Sequence, residues 1–298
     1  MVENSEKWNK TIAAYRTYIR LEKHLANNSV EAYTHDIVDF EHFILRQFDI
    51  PPTKVEAYMI ERYLAYLFDN DRKKSSQARI LSGIKSFYNY LLLNDKIESS
   101  PTEFVEAPKV GRHLPDVLTV EEIDLIISSI DPSKPKGRRD RAMLELLYSC
   151  GLRVTELITL RICDLFFGEG YIRVVGKGNK QRLVPINATA RERIMIYLDD
   201  RRERYHGNEE TLFLNNRGGK LTRIMIFTII REAVKRTGIQ KQVSPHTFRH
   251  SFATHLLAGG ANIRQIQEML GHESISTTEI YTHLDAERLR STVEKLSI

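Results

Sequence analysis

The chain reads as mainly α with a small β-sheet, in two parts, and three observations predict this. Apolar residues recur at three- and four-residue steps through most of the chain, the period of helices that bury one face. One pair of β-branched runs, Tyr171-Ile-Arg-Val-Val175 and Gln181-Arg-Leu-Val-Pro-Ile186, is separated by Gly176-Lys-Gly-Asn-Lys180 and predicts a hairpin. Pro101, Pro108, Gly111 and Pro115 fall together between two helical stretches, as in a linker.

The bulk properties fit. A length of 298 residues suits about two domains. With 28% charged and 42% hydrophobic residues the balance is globular, and no apolar run approaches the roughly 18 residues of a membrane span. The N-terminus, Met-Val-Glu-Asn-Ser-Glu, lacks the basic and apolar regions of a signal peptide, so a cytoplasmic location is expected. Cys150 and Cys163 lack metal-site or framework spacing and are expected to be buried free thiols. The net charge of +5 is unevenly spread: residues 1–107 hold 14 Lys+Arg against 16 Asp+Glu, whereas residues 108–298 hold 30 against 23. A basic second part permits contact with nucleic acid.

In the first part, Trp8, Ile12, Tyr15 and Ile19 mark one helix, and Val30, Tyr33, Ile37, Phe40 and Ile44 a second after Asn27-Asn-Ser29. Pro51-Pro52 ends that pair. Thr53-Lys-Val-Glu56 predicts a capping box for a third helix through Met59, Tyr63 and Leu67. Ser75-Ser76 is expected to open a fourth through Leu81, Ile84, Tyr88 and Leu91. Arg72-Lys-Lys74, Arg79 and Lys85 on that helix are either phosphate contacts or a solvated face. The expected division is therefore a helical domain over 1–107, a linker over 108–116 and a second domain over 117–298.

That second domain opens on the capping box Thr119-Val-Glu-Glu122. A polar stretch, Asp131 to Arg139, is expected to intervene before a helix through Met143, Leu146 and Leu147 that stops at Gly151. Arg153 follows at the break, with Glu156 three residues on, either orienting the guanidinium or forming a weak surface pair. After the hairpin, helices are expected at about 188–204 and from Thr222 to Thr237, and Asp285 is expected to cap a last helix.

The chemistry concentrates in Ser244-Pro-His246-Thr-Phe-Arg249-His250, then Gly271-His272, then Tyr281. Ser244 reads as an N-cap and Pro245 as the first helical residue, which puts His246 and Arg249 on one face of a first turn where an anion is favoured. Asn262 and Gln265 predict a capping box for the next helix, which Gly271 closes before His272. His246 and His250 have the spacing of a helical zinc pair, yet neither a Glu after His246 nor an evident third ligand accompanies them.

His246-x-x-Arg249, Gly271-His272 and Tyr281, together with Leu152-Arg153-Val-Thr-Glu156-Leu, resemble the active-site signature of the tyrosine recombinases over nearly the whole chain, and most closely their Xer branch. The resemblance implies a four-helix, SAM-like DNA core-binding domain followed by an α-rich catalytic domain. It implies strand exchange at a double-stranded DNA site by a tetramer of protomers on two duplexes, with Tyr281 as nucleophile, Arg153 and Arg249 on the nonbridging phosphate oxygens, His246 and His272 as donors, and His246 also a candidate base. Lys177 matches the hairpin lysine that acts as general acid, with Lys180 the nearest competitor, and Glu156 supports Arg153. Neither metal nor ATP is implied as cofactor. The Xer branch further implies a paralogous partner of the XerC/XerD type, an FtsK-type DNA translocase, a role in resolving chromosome dimers, and a C-terminal tail that docks on the neighbouring subunit. A type IB topoisomerase, a mobile-element integrase and a catalytically silent DNA-binding regulator are the competing readings.

Overall fold

A computed structural model describes residues 2–23, 25–108, 116–207 and 209–271, with Lys177 as backbone. The expected cap at Asp285 and the tail lie outside the described residues. The chain forms two compact units, Met1–His113 and Leu114–Ile298.

The first unit packs α1 (Val2–Leu21), α2 (Asn27–Gln47), α3 (Ala57–Asp69) and α4 (Lys74–Leu93). Trp8, Ile12, Tyr15 and Ile19 are all buried, as their spacing requires. Trp8 stacks on Phe87 at 5.8 Å and meets the edge of Phe40 at 5.9 Å, and its indole N–H donates to the Ile50 carbonyl at 2.9 Å. An aromatic core of this kind adds directional ring contacts to the area it buries.

Two helix starts differ from expectation. Thr53 does not cap α3: Pro52–Lys54 make a short 3-10 turn, Val55 is buried in extended conformation, and the helix begins at Ala57. The α4 helix begins at Lys74 with Lys73 as N-cap, so Ser75 and Ser76 sit inside its first turn. Arg79 on α4 does not simply face solvent, because its guanidinium holds the buried Asp36 carboxylate with two nitrogens.

The second unit contains α5 (Val120–Ser128), α6 (Pro135–Ser149), α7 (Val154–Thr159), strands β1 (Leu165–Phe166), β2 (Tyr171–Val175) and β3 (Gln181–Pro185), then α8 (Ala188–Arg204), α9 (Arg223–Thr237), α10 (Pro245–Ala258) and α11 (Ile263–Leu270). The capping boxes at Thr119 and Asn262 form as expected, and Ser244 is the N-cap expected of it, with Thr247 completing a box there as well. The hairpin pairs antiparallel with Val174 opposite Arg182, and β1 adds a two-residue third strand too short to show a period.

The polar stretch before α6 is shorter than the sequence suggests. Pro135 is pre-set for a first helical position, and Arg139 and Asp140, which look like solvated loop, pair with each other inside the unit. The helix is buried along most of its length, with Leu144, Leu146, Leu147 and Tyr148 in the core, and it packs on α8 and α10. Cys150 is buried, but Cys163 is exposed, on a short 3-10 turn. Among the described residues no helix is long and apolar enough to cross a membrane.

Candidate active site

The site is built where α6 ends. Gly151 has φ of +56°, and a Cβ there would stand 2.4 Å from the Phe252 ring, so glycine is required on both counts. This tight turn brings Arg153 to the N-cap of α7. Glu156, one turn on, accepts from the Arg153 backbone N–H at 2.8 Å and from its Nη1 at 2.9 Å.

The carboxylate of Glu156 is the centre of the site rather than half of a surface pair. It is 3% exposed and accepts from a second guanidinium, Arg182 of β3, whose Nη1 and Nη2 each reach one oxygen at 2.8 and 2.9 Å. A third, Arg249 of α10, lies 3.8 Å away through Nη1. Arg249 is held by the Gly151 carbonyl at 2.7 Å and by the Leu270 carbonyl. Arg153 Nη2 donates to the Gly271 carbonyl at 3.0 Å, and Arg182 Nε to the Met269 carbonyl at 2.6 Å. The end of α11 thus offers carbonyls to all three arginines. Gly271, at φ +65°, turns the chain there, and a Cβ would press to 3.2 Å from Arg182.

Three guanidiniums around one carboxylate leave two positive charges in excess. Burial works to raise the Glu156 pKa, but hydrogen bonds and charge from Arg182, with those from Arg153, outweigh it and hold the carboxyl below its ordinary range. Arg249 feels the surplus: burial first, then the charges of Arg153 and Arg182, pull it down to about 10, against the attraction of Glu156. It stays charged near neutrality, but an anion would relieve the repulsion. Arg153, with 36% of its side chain exposed against 10% for Arg249, is the more open of the two.

The structure therefore brings together Arg153, Glu156 and Arg249. His246 occupies the first turn of α10 and is exposed, whereas Arg249 on the same turn is buried. Lys177 is in the turn of the hairpin, where Gly178 and Asn179 have positive φ. His272 and Tyr281 lie outside the described residues. Among those residues no group of three or more His, Cys, Asp or Glu is placed to hold a metal ion.

Arg182 was the residue the sequence concealed. Its one signal is alternation: in β3 it is two residues from the buried Val184 and opposite the buried Val174, so it falls on the inward face of a strand. A charge on that face must have a partner, and the partner comes from α7.

Residues 116–288 match the model of the phage integrase family, and residues 12–94 that of the phage integrase N-terminal SAM-like domain. The chain is 41% identical to tyrosine recombinase XerD of Chlorobaculum tepidum over 290 residues, 96% of this chain and 95% of that one. The crystal structure of XerA recombinase matches with a TM-score of 0.51 at 31% identity, covering 97% of this chain and 98% of the other. A lambda integrase tetramer bound to a Holliday junction shares the fold, with a TM-score of 0.70 at 19% identity over 91% of this chain and 80% of that one. The chain belongs to the phage integrase, or tyrosine recombinase, family, in its Xer branch, and is an enzyme of site-specific DNA recombination.

Proposed function

We propose that the Glu156 cluster is the phosphate-holding half of a site at which Tyr281 attacks DNA, forming a 3′-phosphotyrosyl intermediate and, after strand exchange, a Holliday junction. The observation that carries this reading is the convergence of Arg153 and Arg249 on one buried carboxylate with positive charge in excess. Planar guanidiniums suit the nonbridging oxygens of a phosphodiester and offset the charge that grows on them in the transition state.

In this reaction the Tyr281 phenol oxygen bonds to phosphorus, and the bond from phosphorus to the 5′ oxygen breaks. His246 takes the phenolic proton and, with His272, donates to the phosphate. Lys177 gives the departing 5′ oxygen its proton. The phosphotyrosyl bond conserves the energy of the broken phosphodiester, so a 5′ hydroxyl from the exchanged strand reverses the step and releases Tyr281.

The finer role we propose is resolution of chromosome dimers at cell division, by a tetramer on two duplexes that includes either further copies of this chain or a paralogous XerC/XerD-type protomer, with an FtsK-type translocase as activator. Likeness to XerD along nearly the full length of both chains supports it. The test is to trap covalent complexes on genomic DNA carrying nicks and to sequence what is bound. The parent should trap sites that share one sequence, and Tyr281→Phe should bind those sites yet form no adduct. Trapped DNA without a common sequence would point to relaxation of supercoils instead, and an adduct that survives denaturation with the Phe variant would remove Tyr281 from the mechanism.

A further inference from the structure

We infer that Arg182 is a positioning residue that ties the Lys177 hairpin to the phosphate clamp, so that its loss is felt first in protonation of the leaving oxygen. The inference rests on the reading of Lys177 as general acid given above.

The geometry of Arg182 sets it apart from the other two arginines. All three of its guanidinium nitrogens are committed to the protein: Nη1 and Nη2 to the two oxygens of Glu156, and Nε to the Met269 carbonyl. Only 11% of the side chain is exposed. It therefore joins three pieces of chain through one side chain: β3, the first turn of α7 with Arg153, and the end of α11 immediately before Gly271.

The same contact reaches the base of the hairpin turn. The Gly176 N–H donates to the Lys180 carbonyl at 2.8 Å, closing the loop that contains Lys177. A Cβ on Gly176 would lie 3.7 Å from Arg182 Nη1 and 3.7 Å from Glu156 Oε1, so the backbone just before Lys177 runs beside the ion pair. Fixing that base fixes where the turn is launched. A lysine that delivers a proton depends on such placement, since errors of about 1 Å can cost roughly 10²-fold in rate. Glu156 keeps Arg153 as a partner when Arg182 is removed, so the clamp retains its own bonds while the hairpin loses its charged tie to α7.

The test uses the full-length protein and two cognate suicide substrates, one with the ordinary 5′ oxygen at the scissile bond and one with sulfur in its place. A thiol, with pKa about 8.5, leaves without needing a proton. We expect Arg182→Met to cleave the oxygen substrate about 10²-fold more slowly and the sulfur substrate within a few fold of the parent. Adding it to Lys177→Ala should cost little more than Lys177→Ala alone, because both act on one step. Arg182→Lys, which keeps the charge but not the fork, should show the same oxygen-to-sulfur contrast at smaller size, and it carries the test if the Met variant does not fold. Equal slowing on both substrates would place Arg182 in the clamp and overturn the inference, as would parent rates on both. If Lys177→Ala itself is not rescued by sulfur, the acid assignment fails and the inference falls with it. Rescue of Lys177→Ala without rescue of the Arg182 variants overturns only the inference.

Discussion

Each unit buries a carboxylate against arginine, but in different proportion. In the first, Asp36 has Arg79 across from it, two nitrogens on two oxygens, a neutral pair. In the second, Glu156 has Arg153 and Arg182 in hydrogen-bonding range and Arg249 at 3.8 Å, an arrangement two charges short of neutral. A one-to-one pair satisfies itself and serves the packing of its own unit. A carboxylate outnumbered by guanidiniums organises them without cancelling them, which leaves a site suited to an anion.

The largest effect that would test this contrast is at Arg249. Arg249→Lys should slow single-turnover cleavage of a nicked cognate duplex by about 10³-fold, nearly as much as Arg249→Ala, because one ammonium cannot replace a fork. It would also leave the carbonyl of Gly151 or Leu270 with a poorer donor. A Lys variant that cleaves near the parent rate would break the claim that the surplus charge is shaped for phosphate.

Next is Glu156→Gln, which leaves three guanidiniums around a neutral amide. Cleavage should fall about 10²-fold and stability by about 3 kcal/mol. The pH dependence gives an independent reading. Since the folded carboxyl sits below its ordinary value, its contribution is complete above the unfolded pKa of about 4.3 and is lost as pH falls through the lower folded one. Thermal unfolding of the parent and the Gln variant should therefore differ most above about pH 4.3 and converge on further acidification. A gap that stayed constant down to about pH 2 would mean that the carboxylate charge is not what stabilises the cluster.

The smallest effect belongs to the neutral pair. Arg79→Ala should cost the first unit about 1 to 3 kcal/mol, read by thermal unfolding, and leave the cleavage step on saturating DNA unchanged. The dependence of DNA affinity on salt should also keep its slope. A slope shallower by about 1 would show Arg79 contacting a phosphate, and the contrast between the units would then be one of degree.

How much was legible follows from the reach of each interaction. Capping at Thr119, Ser244 and Asn262 is decided between a residue and the one three places on, so it could be read directly. The four helices of the first unit were equally plain, because their apolar period is long and repeated. Thr53 carried the same signal as Thr119 and misled, since Pro51 and Pro52 and the burial of Val55 favour a 3-10 turn over an immediate helix. The exposure of Cys163 is not legible in the sequence, because a lone thiol carries no periodicity to place it.

The composition of the site was thus present in the chain's local patterns: Arg153 after a glycine stop, Arg249 in the first turns of a capped helix, Lys177 in a hairpin turn. Its centre was not. Glu156 reads either as a group that orients Arg153 or as the surface half of a short-range pair until β3 and α10 bring Arg182 and Arg249 to it, and Arg182 looks like one more basic strand residue until α7 and α11 surround it. Helix caps and turns are settled by neighbours along the backbone, where types and spacing suffice. A buried charge cluster is settled by which elements pack together, and that depends on the whole core rather than on any stretch of it.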